Sequence, residues 1–229
     1  MPTKDRTTSI EIATENYILS TNPVLYIPLY ELDGGSFMSK DAYGHLATVT
    51  GATWGSQGRT FVDASLDKVV VPDTASLDIT GDLTLEVWVK FSSLPAGNRF
   101  LINKWESNSS DKAYMLLTTS SQISFLIRNA ANDAEVEADS VVGALVIDTW
   151  YHIVGVHSGN TMYIYKNAVQ DVNTGTIGTG RVSANELRLG NYVTTSGLGG
   201  LIGEVRIYNR ALSAVELLHN HLATRWRYQ

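Results

Sequence analysis

The chain has 229 residues, a formal charge of −6 and no cysteine. An acidic balance without a run of Lys or Arg excludes the concentrated basic surface that nucleic acid requires. The lack of cysteine excludes disulfides, zinc–thiolate centres and cysteine nucleophiles. With 44% hydrophobic and 17% charged residues the chain can close a core unaided, and no stretch approaches the ~18 continuous apolar residues of a membrane span.

From the N-terminus, Met1-Pro2-Thr3-Lys4-Asp5-Arg6 leads into Thr7-Thr8-Ser9-Ile10-Glu11 without an apolar core of signal-peptide length, so no export signal is expected. Residues 1–20 read as an N-terminal arm or edge segment, and 21–229 as a single domain. Period-two alternation then dominates. It predicts strands over 24–30, 68–71, 83–91, 100–104, 113–118, 123–128, 150–157, 161–165, 186–189 and 202–208. The clearest is Leu83–Phe91: Leu83, Leu85, Val87, Val89 and Phe91 share one face, and Thr84, Glu86, Trp88 and Lys90 the other. That pattern predicts a half-buried strand. Ser158-Gly159-Asn160 marks a hairpin turn. Near the end, Ser213-Ala214-Val215-Glu216 is a Ser-x-x-Glu capping box that opens a helix to about residue 221 or 222. Many short strands, regular turns and one short C-terminal helix predict an all-β, two-sheet antiparallel jelly-roll sandwich.

Specific residues add a family likeness. Gly200-Leu201-Ile202-Gly203-Glu204-Val205-Arg206-Ile207-Tyr208-Asn209-Arg210-Ala211-Leu212-Ser213 resembles the closing strand of laminin-G-like, concanavalin A-like lectin/glucanase domains. Those domains read glycine, any residue, Ile-Asp-Glu-Val-Arg-Ile-Tyr-Asn-Arg-Ala-Leu-Ser, then a short helix. Val24-Leu25-Tyr26-Ile27-Pro28-Leu29, Asp41-Ala42-Tyr43-Gly44, Trp150-Tyr151-His152-Ile153-Val154, Tyr163-Ile164-Tyr165-Lys166-Asn167 and Leu189-Gly190 follow in the family's order. Two positions depart from the pattern. Gly203 stands where the family often has an Asp that helps hold structural calcium, and Ala168 stands where it often has a turn glycine. No cofactor is expected, and a calcium site would lack one carboxylate here.

Fold does not assign function, which must come from a site. For sugar recognition, flat rings stack on pyranose C–H faces while amides and carboxylates read hydroxyls. Trp105, Asn108 and Asp111 around the loop 106–111, with Asn191 and Tyr192, are the candidate ligand contacts. Glu135-Val136-Glu137-Ala138-Asp139 would place three carboxylates on one strand face. It resembles the Glu-x-Asp-x-Glu of some β-glucanases with the central and last acids exchanged, and it reads as a solvated face. His152 shares a face with Trp150, Val154 and Val156 and reads as a packed core histidine. His219 and His221 point to different sides of a helix. His45 and His157 have no evident partner in sequence. The leading expectation is a non-enzymatic binding or adhesion module for a glycan or a protein surface, extracellular or on a virion surface. The alternatives are a structural surface component, such as a phage capsid decoration or tail-associated protein, assembling as a homo-oligomer or on a larger particle, and a glycoside hydrolase of the same fold.

Overall fold

A computed structural model describes residues 22–31, 33–94, 97–106, 111–141, 144–192 and 196–229. The expected arm over 1–20 and the candidate Asn108 lie outside the described residues. The alternating pattern folds into strands numbered here in chain order. Sheet A runs β14 (Val169–Thr176), β13 (Thr161–Lys166), β12 (Trp150–Ser158), β7 (Leu83–Phe91), β18 (Gly200–Tyr208), β5 (Gly58–Phe61) and β4 (Thr53–Gly55). Strand β1 (Leu25–Pro28) pairs with the second half of β18, beyond β5. Sheet B runs β11 (Glu135–Asp139), β10 (Gln122–Arg128), β9 (Lys112–Thr119), β8 (Asn98–Trp105), β15 (Leu187–Leu189), β6 (Lys68–Val71), β3 (Leu46–Thr50) and β2 (Ser36–Met38). A short ribbon, β16 (Asn191–Tyr192) with β17 (Ser196–Gly197), lies against β8. The pairings are antiparallel, as the jelly-roll expectation requires.

The inward faces of both sheets form one core that includes Leu85, Val87 and Val89 of β7, Ile102 of β8, Leu116 of β9 and Phe125 of β10. Packing across the sandwich is close. A Cβ on Gly155 of β12 would lie 2.7 Å from the Phe125 ring, so glycine is what lets the sheets meet there.

The half-buried reading of 83–91 needs correction. Thr84, Glu86 and Trp88, on the supposedly wet face, are 0%, 1% and 3% exposed. The helix α1 (Ala214–Thr224) and the residues after it cover that face, so sheet A is packed on both sides. Val154, Val156, Tyr165 and Tyr208 meet Leu212 and Leu217 there, and Trp88 and Trp150 meet Tyr228. Ser213 caps α1 as expected, with Glu216 completing the box, and the helix runs on to Thr224. Thr84 anchors its approach, donating to the Arg210 carbonyl (2.9 Å) and accepting from Leu212 N–H (3.0 Å).

Both departures from the family pattern have local consequences. At Gly203 a Cβ would lie 2.3 Å from the Tyr228 ring, so the missing side chain is the slot in which the penultimate residue docks. Ala168 has φ +64° beside Asn167 at +52°, in a two-residue turn between Lys166 and Val169. An L-residue with a Cβ is disfavoured in that left-handed region by about 1–2 kcal/mol, a cost that glycine avoids. Ala168→Gly is therefore expected to stabilise the fold by about 1 kcal/mol, raising Tm by about 2–4 °C for a chain of this size. An unchanged or lower Tm in a thermal melt would refute the strain.

Candidate ligand-binding site

The loop 39–45 is shaped by one carboxylate. Asp41 Oδ1 accepts from the backbone N–H of Tyr43 (2.8 Å) and Gly44 (3.1 Å), while Oδ2 accepts from Tyr26 N–H on β1 (2.9 Å). Gly44 takes the left-handed conformation, φ +63°, that closes such a turn. The His45 ring locks the loop's far side, with Nε2 2.7 Å from Ser76 Oγ and Nδ1 3.4 Å from Asp41 Oδ1. His45 therefore does have partners, and one of them lies only four residues upstream. The result is a braced loop with Tyr43 at its tip, 58% exposed.

Between this loop, the start of β1, the end of β18 and α1 lies a cleft of about 630 Å³. Tyr43, Lys40 and Asn22 stand at its mouth with exposed side chains, Asn209 flanks it, and Tyr26 and Arg206 form its floor. The Arg206 guanidinium lies 4.7 Å from the Tyr26 ring centre. Burial first, then the Glu204 carboxylate, push the Tyr26 hydroxyl's pKa up, so the hydroxyl stays neutral. It sits 3.2 Å from Glu204 Oε2 and 3.0 Å from the Tyr30 hydroxyl.

Behind the floor is a buried polar cluster. Glu86 Oε1 accepts from His152 Nε2 (2.9 Å) and Arg206 Nη1 (3.0 Å), and Oε2 accepts from Asn220 Nδ2 (2.8 Å). Burial alone would raise the Glu86 pKa. The Arg206 charge and the bonds from His152 and Asn220 outweigh it and hold the carboxyl down at about 2. Trp88 closes the cluster, donating from Nε1 to Thr224 Oγ1 (2.8 Å) and stacking 5.3 Å from His221. His152 is buried as expected, but as the partner of a carboxylate.

The sequence-derived contacts lie elsewhere, on sheet B. Trp105 is 2% exposed and packs with Phe100, Met115, Leu117 and Leu126, with Tyr192 half-buried against them. Tyr192 stacks on Phe100 at 4.4 Å. Asp111 Oδ1 accepts from Ala184 N–H (2.9 Å). Asn191 is 0% exposed, and among the described residues neither of its amide atoms has a hydrogen-bond partner. Trp105 and Tyr192 are thus brought together, though with little free ring surface. The acids of β11 do line one face. Glu135 pairs with Lys112 (2.6 Å) and Arg128 (3.1 Å), and Asp139 accepts from Ser124 Oγ. The Glu137 pKa is raised, by burial first and by Asp139 second. Among the described residues no group of three or more His, Cys, Asp or Glu side chains could hold a metal ion, and no helix is long and apolar enough to cross a membrane.

The two packed antiparallel sheets define the chain as a concanavalin A-like sandwich. A family model for the concanavalin A-like lectin/glucanases superfamily matches residues 63–217, and the chain belongs to that superfamily. No curated protein matches it in sequence. Among solved structures it is similar to the ligand-binding domain of botulinum neurotoxin serotype D, described in complex with N-acetylneuraminic acid (TM-score 0.69, 15% identity, 93% of this chain and 53% of that one). It is also similar to a Trypanosoma rangeli sialidase in complex with sialic acid (0.67, 16%, 96% and 38%). A third is the binding domain of Paraclostridial Mosquitocidal Protein 1 (0.67, 12%, 87% and 52%). The chain spans about half the length, or less, of these structures, and at such identities the likeness is one of fold.

The buried cluster gives a signed acid response. His221 is held near a pKa of 4, by burial first and by His152 second, against an ordinary 6.5. Its neutral form therefore contributes fully above pH 6.5, and that contribution is lost as pH falls toward 4; for Glu86 the loss runs from about 4.5 toward 2. Tm is expected to fall from pH 7 to 4.5, and His221→Gln to flatten that limb. With the ring half-exposed, screening leaves an effect on the order of 1 kcal/mol, or about 2–4 °C. Parallel Tm profiles for the two proteins would exclude His221 as the source.

Proposed function

We propose that the chain is a non-catalytic glycan-binding module and that the cleft between loop 39–45 and α1 is its recognition site. The observation that carries this reading is the pairing of an exposed ring, Tyr43, with amides at Asn22 and Asn209 around a cleft of about 630 Å³. An aromatic face supplies the apolar half of sugar recognition and the amides supply the polar half. The braced Asp41 turn holds the ring in place before binding, which lowers the entropic cost of recognition. Two of the similar structures are described with N-acetylneuraminic acid or sialic acid bound, and the exposed Lys40 at the cleft mouth suits a carboxylated sugar.

The non-catalytic part rests on β11. The Glu135 carboxylate is engaged by two cations and Asp139 by Ser124, whereas a retaining hydrolase needs two working carboxyls about 5–5.5 Å apart across a sugar bond. No metal is assigned to recognition.

The test is a glycan array carrying sialylated and neutral oligosaccharides, run with calcium and with a chelator. Binding is expected in both conditions, and Tyr43→Ala should weaken it about tenfold, the loss of roughly 1.4 kcal/mol of ring contact. A blank array in both conditions, or full binding by the Tyr43 variant, would sink the assignment.

A further inference from the structure

The chain has five tryptophans. Trp88, Trp105 and Trp150 are 3%, 2% and 9% exposed, as core residues should be, whereas Trp54 is 47% and Trp226 is 64% exposed. These two come from opposite ends of the chain, one on the edge strand β4 and one in the turn after α1. They are linked through one stacked pair of residues, Tyr30 and Arg227. Trp54 Nε1 donates to the Tyr30 carbonyl (3.1 Å), and the Arg227 guanidinium carbon lies 3.7 Å from the Tyr30 ring centre and 4.6 Å from the Trp226 ring centre. Gln57, in the turn after β4, donates from Nε2 to the Arg227 carbonyl (3.0 Å) and ties the C-terminal turn to that edge.

Both indole N–H groups are already bonded to backbone carbonyls, Trp226 to that of Ala223 at 2.9 Å. Each N–H is therefore tied down, and what the exposed part of each ring offers to solvent is aromatic surface rather than a donor. Two fixed aromatic faces, flanked by an arginine and a glutamine amide, suit the C–H face of a pyranose with donors beside it for the hydroxyls. Tyr30 also lies next to the cleft floor, its hydroxyl 3.0 Å from that of Tyr26, which lines the cleft.

We propose that Trp54 and Trp226 form a second sugar-stacking site, so that the chain takes an oligosaccharide extending from the cleft across the Tyr30–Arg227 stack. The proposal rests on the glycan-binding reading and adds to it a preference for length. A site limited to the cleft is filled by one or two sugars; a site continued over the tryptophans gains affinity with each further sugar that reaches them.

The test compares the full chain with Trp54→Ala, Trp226→Ala and the ring-preserving Trp226→Phe. The probes are immobilised mono- to hexasaccharides built on glucose, galactose, mannose and N-acetylglucosamine, with and without a terminal sialic acid. The unmodified protein is expected to bind the longer members about tenfold or more tightly than the mono- and disaccharides. Each alanine variant should lose that gain while keeping short-sugar binding, and Trp226→Phe should keep most of it. The long oligosaccharides should also shift the indole fluorescence of the unmodified protein but not that of the double alanine variant. Unchanged length dependence in both alanine variants overturns the proposal and leaves the cleft standing. So does conversion of a light-scattering dimer to a monomer by either alanine variant, because the surface would then be a protein contact. Loss of all binding in Tyr43→Ala, with the tryptophan variants unaffected, assigns recognition to the cleft alone. If the unmodified protein binds nothing on the array, the glycan reading falls, and this proposal with it.

Discussion

The Glu86 carboxylate is the constraint on which the rest of the molecule depends. It is 1% exposed, and its partners come from β12, β18 and α1 while it sits on β7. Desolvating an ion costs several kcal/mol unless its partners are in place, and removing one partner from such a group typically costs about 3–5 kcal/mol. The central three strands of sheet A and the helix are thus held to one mutual arrangement. A one-residue slip of β7 against β12 or β18 would turn Glu86 into the apolar core and Leu85 and Val87 out of it. Two apolar clusters flank this point, Tyr208 with Leu212 and Leu217 on one side, Trp88 with Trp150 and Tyr228 on the other. They supply the burial that closes the helix over a charge.

Docking α1 in this way also makes the cleft proposed for recognition. Asn220, Ala223 and Thr224 form one wall of the cleft, and the turn that follows carries Trp226 and Arg227 toward β4. The cleft has no such wall without the helix in place, so the stability of the buried cluster and the geometry of the cleft are linked. Arg206 joins the two physically: it pairs with Glu86 and Glu204 on one side and lies over Tyr26, a cleft residue, on the other. Its charge is already compensated by two carboxylates. Under the proposed recognition, discrimination by charge at the cleft falls to exposed groups such as Lys40.

Much of this architecture was legible in the sequence. Alternation located most of the long strands, because a row of inward apolar residues, five in β7, leaves little choice of face, though the eight-residue β14 was missed; the Ser213–Glu216 box located the helix. Short strands such as β2, β4 and β5, with three or four residues each, were not legible, since their pairing is fixed by neighbours rather than by any pattern of their own. The double burial of β7 was hidden for a similar reason. Thr84 and Glu86 look like a wet face until neighbouring strands, the 210–212 segment and the helix after it supply their partners. The burial of Trp105 was hidden because exposure cannot be read from residue type: next to a polar loop it reads as a platform, yet it packs under its neighbours. The signal that could have found the cleft was Asp41-Ala42-Tyr43-Gly44, an Asx turn that fixes an aromatic at its tip.

The departure at Gly203 connects these threads. A side chain there would collide with Tyr228, whose ring stacks on Trp88 at 4.6 Å and lies 4.7 Å from Trp150. Opening that slot lets the last residues of the chain lie flat against sheet A instead of projecting from it. Trp226 and Arg227 then emerge on the Tyr30 side with their backbone held by Gln57 and by the docked tyrosine. On sheet B, Trp105 and Phe100 are consumed by packing, whereas on this edge Tyr43, Trp54 and Trp226 keep open faces. The two tryptophan rings help hold the C-terminal turn and the β4 edge together and still leave surface open to solvent. Such surface near the cleft supports the proposed recognition beside α1 rather than on the outward face of sheet B.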